Sequence, residues 1–186
     1  MTPSELSTQL TTLFGEATAQ LAPGSWQVDT SDFRLLVLLS DDQSWLRILI
    51  PIAPAQDAQP FFEQLLEANF DQTQEVRYAL QQGVLWAVFQ HSRESLAIAD
   101  FTTAVQRLVD LRLKGLDECF NRLIENRVRQ IIRVAKQQGQ SMEATLQTLE
   151  RFYQEGLMGD MTAGAQARED TLAAWRYQLE RLWNEE

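Results

Sequence analysis

Hydrophobic positions along the chain change period several times, and each change marks an element. Between Pro3 and Leu21, Leu6, Leu10, Leu13, Phe14, Ala17 and Leu21 recur at helical spacing. That spacing predicts one amphipathic helix over 3–21. Thr2 can cap it, Pro3 suits the first helical position, and Glu5 favours the positive first turn. Pro23-Gly24 is expected to stop it. The period then falls to two. Trp26-Gln27-Val28-Asp29 alternates, Phe33 to Leu39 is apolar apart from Arg34, and Trp45 to Ile52 places Leu46, Ile48, Ile50 and Ile52 on one side. Three strands follow from this pattern. The polar Ser40-Asp41-Asp42-Gln43 makes the last two a hairpin, and Pro51 and Pro54 are expected to end pairing because neither can donate to a ladder.

Gln59-Pro60 opens a second, short helix with Phe61, Phe62, Leu65, Leu66 and Phe70 as its apolar stripe. Val76 to Leu80, a Gln81-Gln82-Gly83 turn and Val84 to Phe89 predict a further hairpin. The five strands are expected over 25–30, 33–40, 44–52, 74–81 and 83–90, in one antiparallel sheet carrying the first and third helices. That third helix is expected from about Asp100 to Gln138. Within it Leu113, Leu116, Phe120, Leu123, Ile124, Ile131, Val134 and Ala135 share one broad arc, with a weak point at Gly115 and an end at Gly139. Ser141 caps a fourth helix whose Met142, Leu146, Leu149, Tyr153 and Leu157 have coiled-coil-like spacing. Met158 to Gly164 is the most flexible interior stretch by composition. Leu172, Trp175, Leu179 and Leu182 mark a last helix. The resulting hairpin is expected to dock on the core or on a neighbouring subunit, with Trp175 among its most buried residues. The order is α-β-β-β-α-β-β-α plus a helical hairpin, an α+β fold in two parts, 1–138 and 139–186.

This order resembles the class I type III secretion chaperone fold, the Tir-chaperone family and its bacterial relatives of unassigned function. The residues that carry the resemblance are the amphipathic first helix, three strands ending in Leu46-Arg47-Ile48-Leu49-Ile50-Pro51, and the Phe61-Phe62-Glu63-Gln64-Leu65-Leu66 helix. The Val76 to Phe89 hairpin and a helix entered through Asp100-Phe101-Thr102 complete it. It covers about three quarters of the chain. The resemblance implies a small, acidic, dimeric protein that holds a partner polypeptide in extended form against apolar surface, without ATP. The Ser141 to Glu186 hairpin exceeds that family's usual domain.

Composition narrows the function classes. Among 186 residues, 26 acids stand against 16 bases, a net charge of −10, which argues against a general binder of nucleic acid or anionic membrane. The longest apolar runs are strand-length, far short of the ~20 residues a spanning helix needs. The amino terminus has no basic and apolar leader pattern, so a cytoplasmic protein is expected. One cysteine, Cys119, excludes an internal disulfide, and one histidine, His91, makes a His-rich metal site impossible. No glycine-rich phosphate loop is present, since Gly156, Gly159 and Gly164 follow no strand signal. No catalytic, cofactor-binding or metal-binding residue is expected, and no enzyme.

Charge is unevenly spread. Residues 1–100 are net −9, residues 101–140 net +4 and residues 141–186 net −5, which suggests an internal electrostatic contact or a local anion-facing surface. On the long helix Glu118, Arg122, Glu125, Arg129, Arg133 and Lys136 share one sector with favourable i,i+4 pairs. Arg127 instead projects into the apolar arc, where it either snorkels out or meets a carboxylate at an interface.

The sheet carries the stronger hint. A sheet covered on one face should be apolar on one parity. Here Leu36 and Leu38 occupy the parity opposite Leu35 and Val37, Trp45 and Leu49 join Arg47, and Trp86 joins the apolar residues of the last strand. The second face needs a cover, whether the hairpin, a second subunit or a client. Leu36, Leu38, Trp45, Leu49, Trp86, Arg127 and Trp175 are the candidate partner-binding residues. The expected function is a non-enzymatic protein-binding module, a homodimer holding a partner polypeptide. A structural or assembly subunit is the alternative, and an enzyme with an unrecognised site a third.

Overall fold

The computed structural model describes residues 1–154 and 165–185; for 152–154, 165–171 and 174 it describes the backbone alone. The stretch Met158 to Gly164, Gly156, and the side chains of Tyr153 and Leu157 therefore lie outside the described residues. The chain divides into two compact units, Met1–Cys119 and Phe120–Glu186.

The first unit opens with α1, Pro3–Phe14, held by a capping box in which Thr2 N donates to Glu5 Oε2 at 2.7 Å and Glu5 N to Thr2 Oγ1 at 3.2 Å. The helix ends earlier than its apolar spacing predicts. Gly15 takes φ +56, a 3-10 turn follows over Gly15–Ala17, and Thr18–Ala22 is a strand, β1. Thr18 Oγ1 donates back to the Leu10 carbonyl at 3.1 Å. Pro23-Gly24 is thus a two-residue hairpin turn rather than a helix stop, with Ala22 opposite Ser25 and Gly24 at φ +78. Proline followed by a residue of positive φ is a type II turn signature. A Cβ on Gly24 would also meet that of Leu39 at 3.3 Å.

The sheet therefore has six strands, not five. β2 (Ser25–Asp29), β3 (Arg34–Leu39), β4 (Trp45–Pro54), β5 (Arg77–Gln81) and β6 (Val84–Ser92) join β1 in the order β1-β2-β3-β4-β6-β5, antiparallel throughout. Pairing does not stop at Pro51. β4 continues to Pro54 because the register shifts between Pro51 and Ala53, and such an irregularity tolerates a residue with no N–H. The expected second helix divides into α2 (Ala55–Ala58), a 3-10 turn over Gln59–Phe61 and α3 (Phe62–Ala68). The long third helix divides as well. α4 spans Ile98–Lys114, Gly115 at φ +57 breaks it, and α5 spans Asp117–Gln137.

One face of the sheet holds the core. Trp26, Val28, Leu35, Val37, Leu46, Ile48, Ile50, Leu85, Ala87 and Phe89 are buried on it. They are joined by Leu6 and Leu10 of α1, which packs on β1 and β2, and by Phe101, Ala104, Val105 and Leu108 of α4, which packs on β4 and β6.

In the second unit α5 is joined by α6 (Met142–Gln154) and α7 (Ala165–Leu182). Ile124, Val128 and Ile132 recur every four residues on α5 and form one core with Leu149, Trp175, Leu179 and Leu182. The terminal hairpin thus packs on α5. The basic sector of α5 meets acids within the same unit: Arg129 pairs with Glu125 and with Glu185, and Arg181 with Glu125, at 2.8–2.9 Å. Hydrogen bonding from Arg129, with help from Arg181, holds the Glu125 carboxyl below the usual carboxylate range. Lys136 lies 5.5 Å from the Trp183 ring centroid.

Trp175 is only 6% exposed. Trp175→Ala is expected to cost ~3–5 kcal/mol, read by chemical denaturation followed by far-UV circular dichroism. An unchanged midpoint would show that the hairpin is not packed as described.

Candidate protein-binding surface

The antiparallel register places the remaining apolar strand residues together. Side chains of one parity on adjacent strands stand in rows across a sheet. Leu36 is opposite Gln27 on β2 and Leu49 on β4, and Leu49 is opposite Val88 on β6. One row away Leu38 is opposite Arg47, which is opposite Gln90; on the other side Pro51 is opposite Trp86, and Trp86 opposite Ala79. All these residues lie on the face away from the buried core. Val88 is buried there, Leu36, Leu38, Leu49, Pro51 and Trp86 are half-buried, and Trp45 is 38% exposed. The patch is an apolar centre with a polar margin of Ser25, Gln27, Asp29, Arg77, Gln81 and Gln90, the anatomy of a protein interface.

Its polar members are held in place. The Arg47 guanidinium lies 5.0 Å from the Trp45 ring centroid and, with the Gln90 amide oxygen turned toward it, donates to that oxygen at 2.7 and 2.9 Å. Trp86 Nε1 donates to the Gln81 carbonyl at 3.2 Å. Indole and guanidinium thus keep fixed positions while their carbon surfaces stay available. Trp45 is itself placed by the preceding turn: the Asp42 carboxylate accepts from Ser40 Oγ at 2.6 Å, Ser44 Oγ at 2.8 Å and Ser44 N at 3.0 Å.

Five of the seven expected residues, Leu36, Leu38, Trp45, Leu49 and Trp86, share this face. The other two belong to the second unit: Arg127 is exposed on α5, and Trp175 lies inside the helical core, which removes it from any binding surface. His91 is half-buried, its ring stacked on Phe89 at 5.8 Å and its Nδ1 2.7 Å from the Ser92 carbonyl oxygen. Among the described residues no group of three or more His, Cys, Asp or Glu side chains could hold a metal ion, and no helix is long and apolar enough to cross a membrane.

A second apolar patch was not expected. Phe61 and Leu65 are buried, whereas Leu66, Leu80 and Phe70 are exposed, Phe70 by 93%. Leu66 and Leu80 border a cavity of about 160 Å³ whose lining also includes Phe62, Leu65, Tyr78, Ala79 and Leu85. Burial, reinforced by Cys119 and Glu118, pushes the Tyr78 hydroxyl up to about 12. The outer edge of β5 is blocked here. Asn69 Nδ2 donates to the Tyr78 carbonyl at 3.0 Å, and Tyr78 N donates to Asn69 Oδ1 at 2.7 Å. One side chain thereby occupies the backbone positions another strand would use. The sequence signal for the patch is the width of the stripe, since five apolar residues in ten exceed one face of so short a helix.

No protein-family model matches the chain, and no curated protein sequence matches it. Several solved structures are similar to part of this chain. One is the HopA1–SchA chaperone–effector complex, at 14% identity and TM-score 0.49, over 61% of this chain and 91% of that chain. Another is the Yersinia pestis type III secretion chaperone SycH in complex with a stable fragment of YscM2, at 16% identity and TM-score 0.48, over 61% and 99%. A third is the heterodimeric ExoU–SpcU complex from the type III secretion system of Pseudomonas aeruginosa, at 14% identity and TM-score 0.48, over 60% and 95%.

The Asp42 turn gives a pH prediction. Its three hydrogen bonds, led by the one from Ser40, lower the carboxyl to about 2, below the ~3.9 of an unfolded chain. The stabilisation of the turn is therefore complete above the unfolded value and is lost as pH falls through about 2. An NMR titration of the Asp42 carboxyl is expected to show its midpoint there; a midpoint at the unfolded value would mean that the turn is open.

Proposed function

We propose that this protein is a non-enzymatic, chaperone-like binding module that holds a partner polypeptide on the open face of its sheet. The observation that carries the reading is the apolar row Leu36–Leu49–Val88, extended by Leu38, Pro51 and Trp86, on the face opposite the core. Water ordered over this surface is released when an apolar segment covers it, and a leucine-sized side chain fully buried contributes ~1.5–3 kcal/mol. The indole of Trp86 and the Trp45–Arg47 pair supply the residue types that concentrate binding energy. Because Asn69 occupies the β5 edge at Tyr78, the partner is held by side-chain contacts on the face and not by strand addition at that residue. The acidic balance of the chain keeps so apolar a surface soluble.

The reading extends to a cytoplasmic homodimer. Its support is the apolar surface left exposed away from the sheet face, Phe70 above all, together with Leu66 and Leu80. A structural subunit of a permanent complex would use the same surfaces and differ only in the lifetime of the contact.

A photocrosslinking residue placed at Leu38 or Trp86 in living cells is expected to capture one polypeptide other than this chain, while the same residue at Gln147 captures none. Light scattering of the purified protein is expected to give about twice 21.3 kDa, returning to the monomer value in Phe70→Glu. Crosslinks from Leu38 and Trp86 only to a second copy would replace the partner reading with a simple dimer. No crosslink at either residue would overturn both.

A further inference from the structure

The sheet gathers charge of one sign on its open face. Residues 1–100 hold 13 acids and 4 bases, yet the six strands contain only four Asp, Glu, Lys or Arg side chains: Asp29, Arg34, Arg47 and Arg77. Register puts all four on the face away from the core, since Asp29 is opposite Arg34, Arg47 opposite Leu38, and Arg77 opposite Val88. Three of the four bases of this acidic stretch thus stand on the open face, with one of its thirteen acids.

The arginines surround the apolar row Leu36–Leu49–Val88. Arg34 lies two residues from Leu36 along β3. Arg47 lies two residues from Leu49 along β4, on the other side of the row, and Arg77 closes its β5 end. Strand geometry sets Arg47 ~7 Å and Arg77 ~10 Å from Leu49. Their partners differ. Arg34 donates to Asp29 at 2.8 Å. Arg47 meets the neutral Gln90 amide and the Trp45 ring, and the Arg77 side chain makes no ion pair or hydrogen bond among the described residues. The acid nearest Arg77 in sequence, Glu75, is held by Arg107 of α4 at 3.3 Å. Two positive charges therefore flank the apolar row with no carboxylate beside them. In physiological salt the Debye length is ~8 Å, so an approaching side chain feels the arginines it touches more than the net charge of the whole unit. A second copy applied through the same face would bring six arginines against two aspartates, each already paired with Arg34 of its own chain.

We propose that the partner segment held on the open face is acidic as well as apolar. Its apolar side chains cover Leu36, Leu49 and Val88, and carboxylates two or three residues away in an extended chain meet Arg47 and Arg77. The proposal rests on the partner-binding reading of this face and adds the chemistry by which the face selects its segment.

The test uses the full chain in living cells, with a photocrosslinking residue at Trp86. Mass spectrometry of the captured polypeptide is expected to show more Asp and Glu than Lys and Arg around the crosslinked position. Arg47→Glu combined with Arg77→Glu is expected to lower capture about tenfold, while Arg47→Lys combined with Arg77→Lys retains most of it. Melting temperatures of both variants are measured alongside. In lysate, capture by the parent chain is expected to fall as sodium chloride rises from about 0.05 to about 0.5 M, because salt screens charge pairs and leaves apolar contacts in place. Capture that ignores the double charge reversal, capture that ignores salt, or a captured segment rich in Lys and Arg would overturn the proposal and leave the partner-binding function standing. No capture from the parent chain, or capture of a second copy alone, would overturn that function and the proposal with it.

Discussion

The pairing of β4 with β3 on one side and β6 on the other is the constraint on which the first unit depends. Successive side chains of a strand point to opposite faces, so this one pairing divides β4 into two sets. Leu46, Ile48, Ile50 and Ile52 enter the core, and Trp45, Arg47, Leu49 and Pro51 go to the open face. A slip of one residue would exchange the sets, taking four apolar side chains out of the core and forcing the Arg47 guanidinium into it. Burial on the core side therefore locks the register, and the locked register assembles the open face. Stability and the open apolar face come from the same ladder.

Within the helical unit, charge plays the corresponding part. Arg129 of α5 pairs with Glu185 beyond α7 and with Glu125 on its own helix, and Arg181 of α7 pairs back with Glu125. Such partly exposed pairs add little each, but they orient α7 so that Trp175, Leu179 and Leu182 meet Ile124, Val128 and Ile132. Arg127 stands outside that network, exposed on α5.

Local patterns were legible in the sequence. The β3–β4 and β5–β6 hairpins, the capping of α1 by Thr2, and the double-sided character of β3, β4 and β6 follow from period and turn chemistry within a few residues. What sequence reasoning missed was decided between elements. Thr18 to Ala22 satisfies a helical spacing and also a strand, and only its pairing with β2 across Pro23-Gly24 selects the strand. Gly115 is legible as a weak point of the long helix, but a glycine there costs only ~1 kcal/mol relative to alanine, too little to decide that the helix breaks. The Asn69 clamp on Tyr78 joins residues nine apart and has no motif. Trp175 and Trp86 are equally apolar as letters; packing alone makes one a core residue and leaves the other on a surface.

The central claim is that neighbouring positions on one strand serve different ends. Lysine substitutions at Val37 and at Leu38, adjacent on β3 and both apolar, test it directly when melting temperature and capture of the partner polypeptide are measured together. Val37 is fully buried on the core face and Leu38 half-buried on the open face. The account predicts that Val37→Lys unfolds the first unit, because it buries an unpaired charge, whereas Leu38→Lys melts close to the parent protein and loses the partner. Equal destabilisation by the two substitutions, or full retention of the partner by Leu38→Lys, would contradict it.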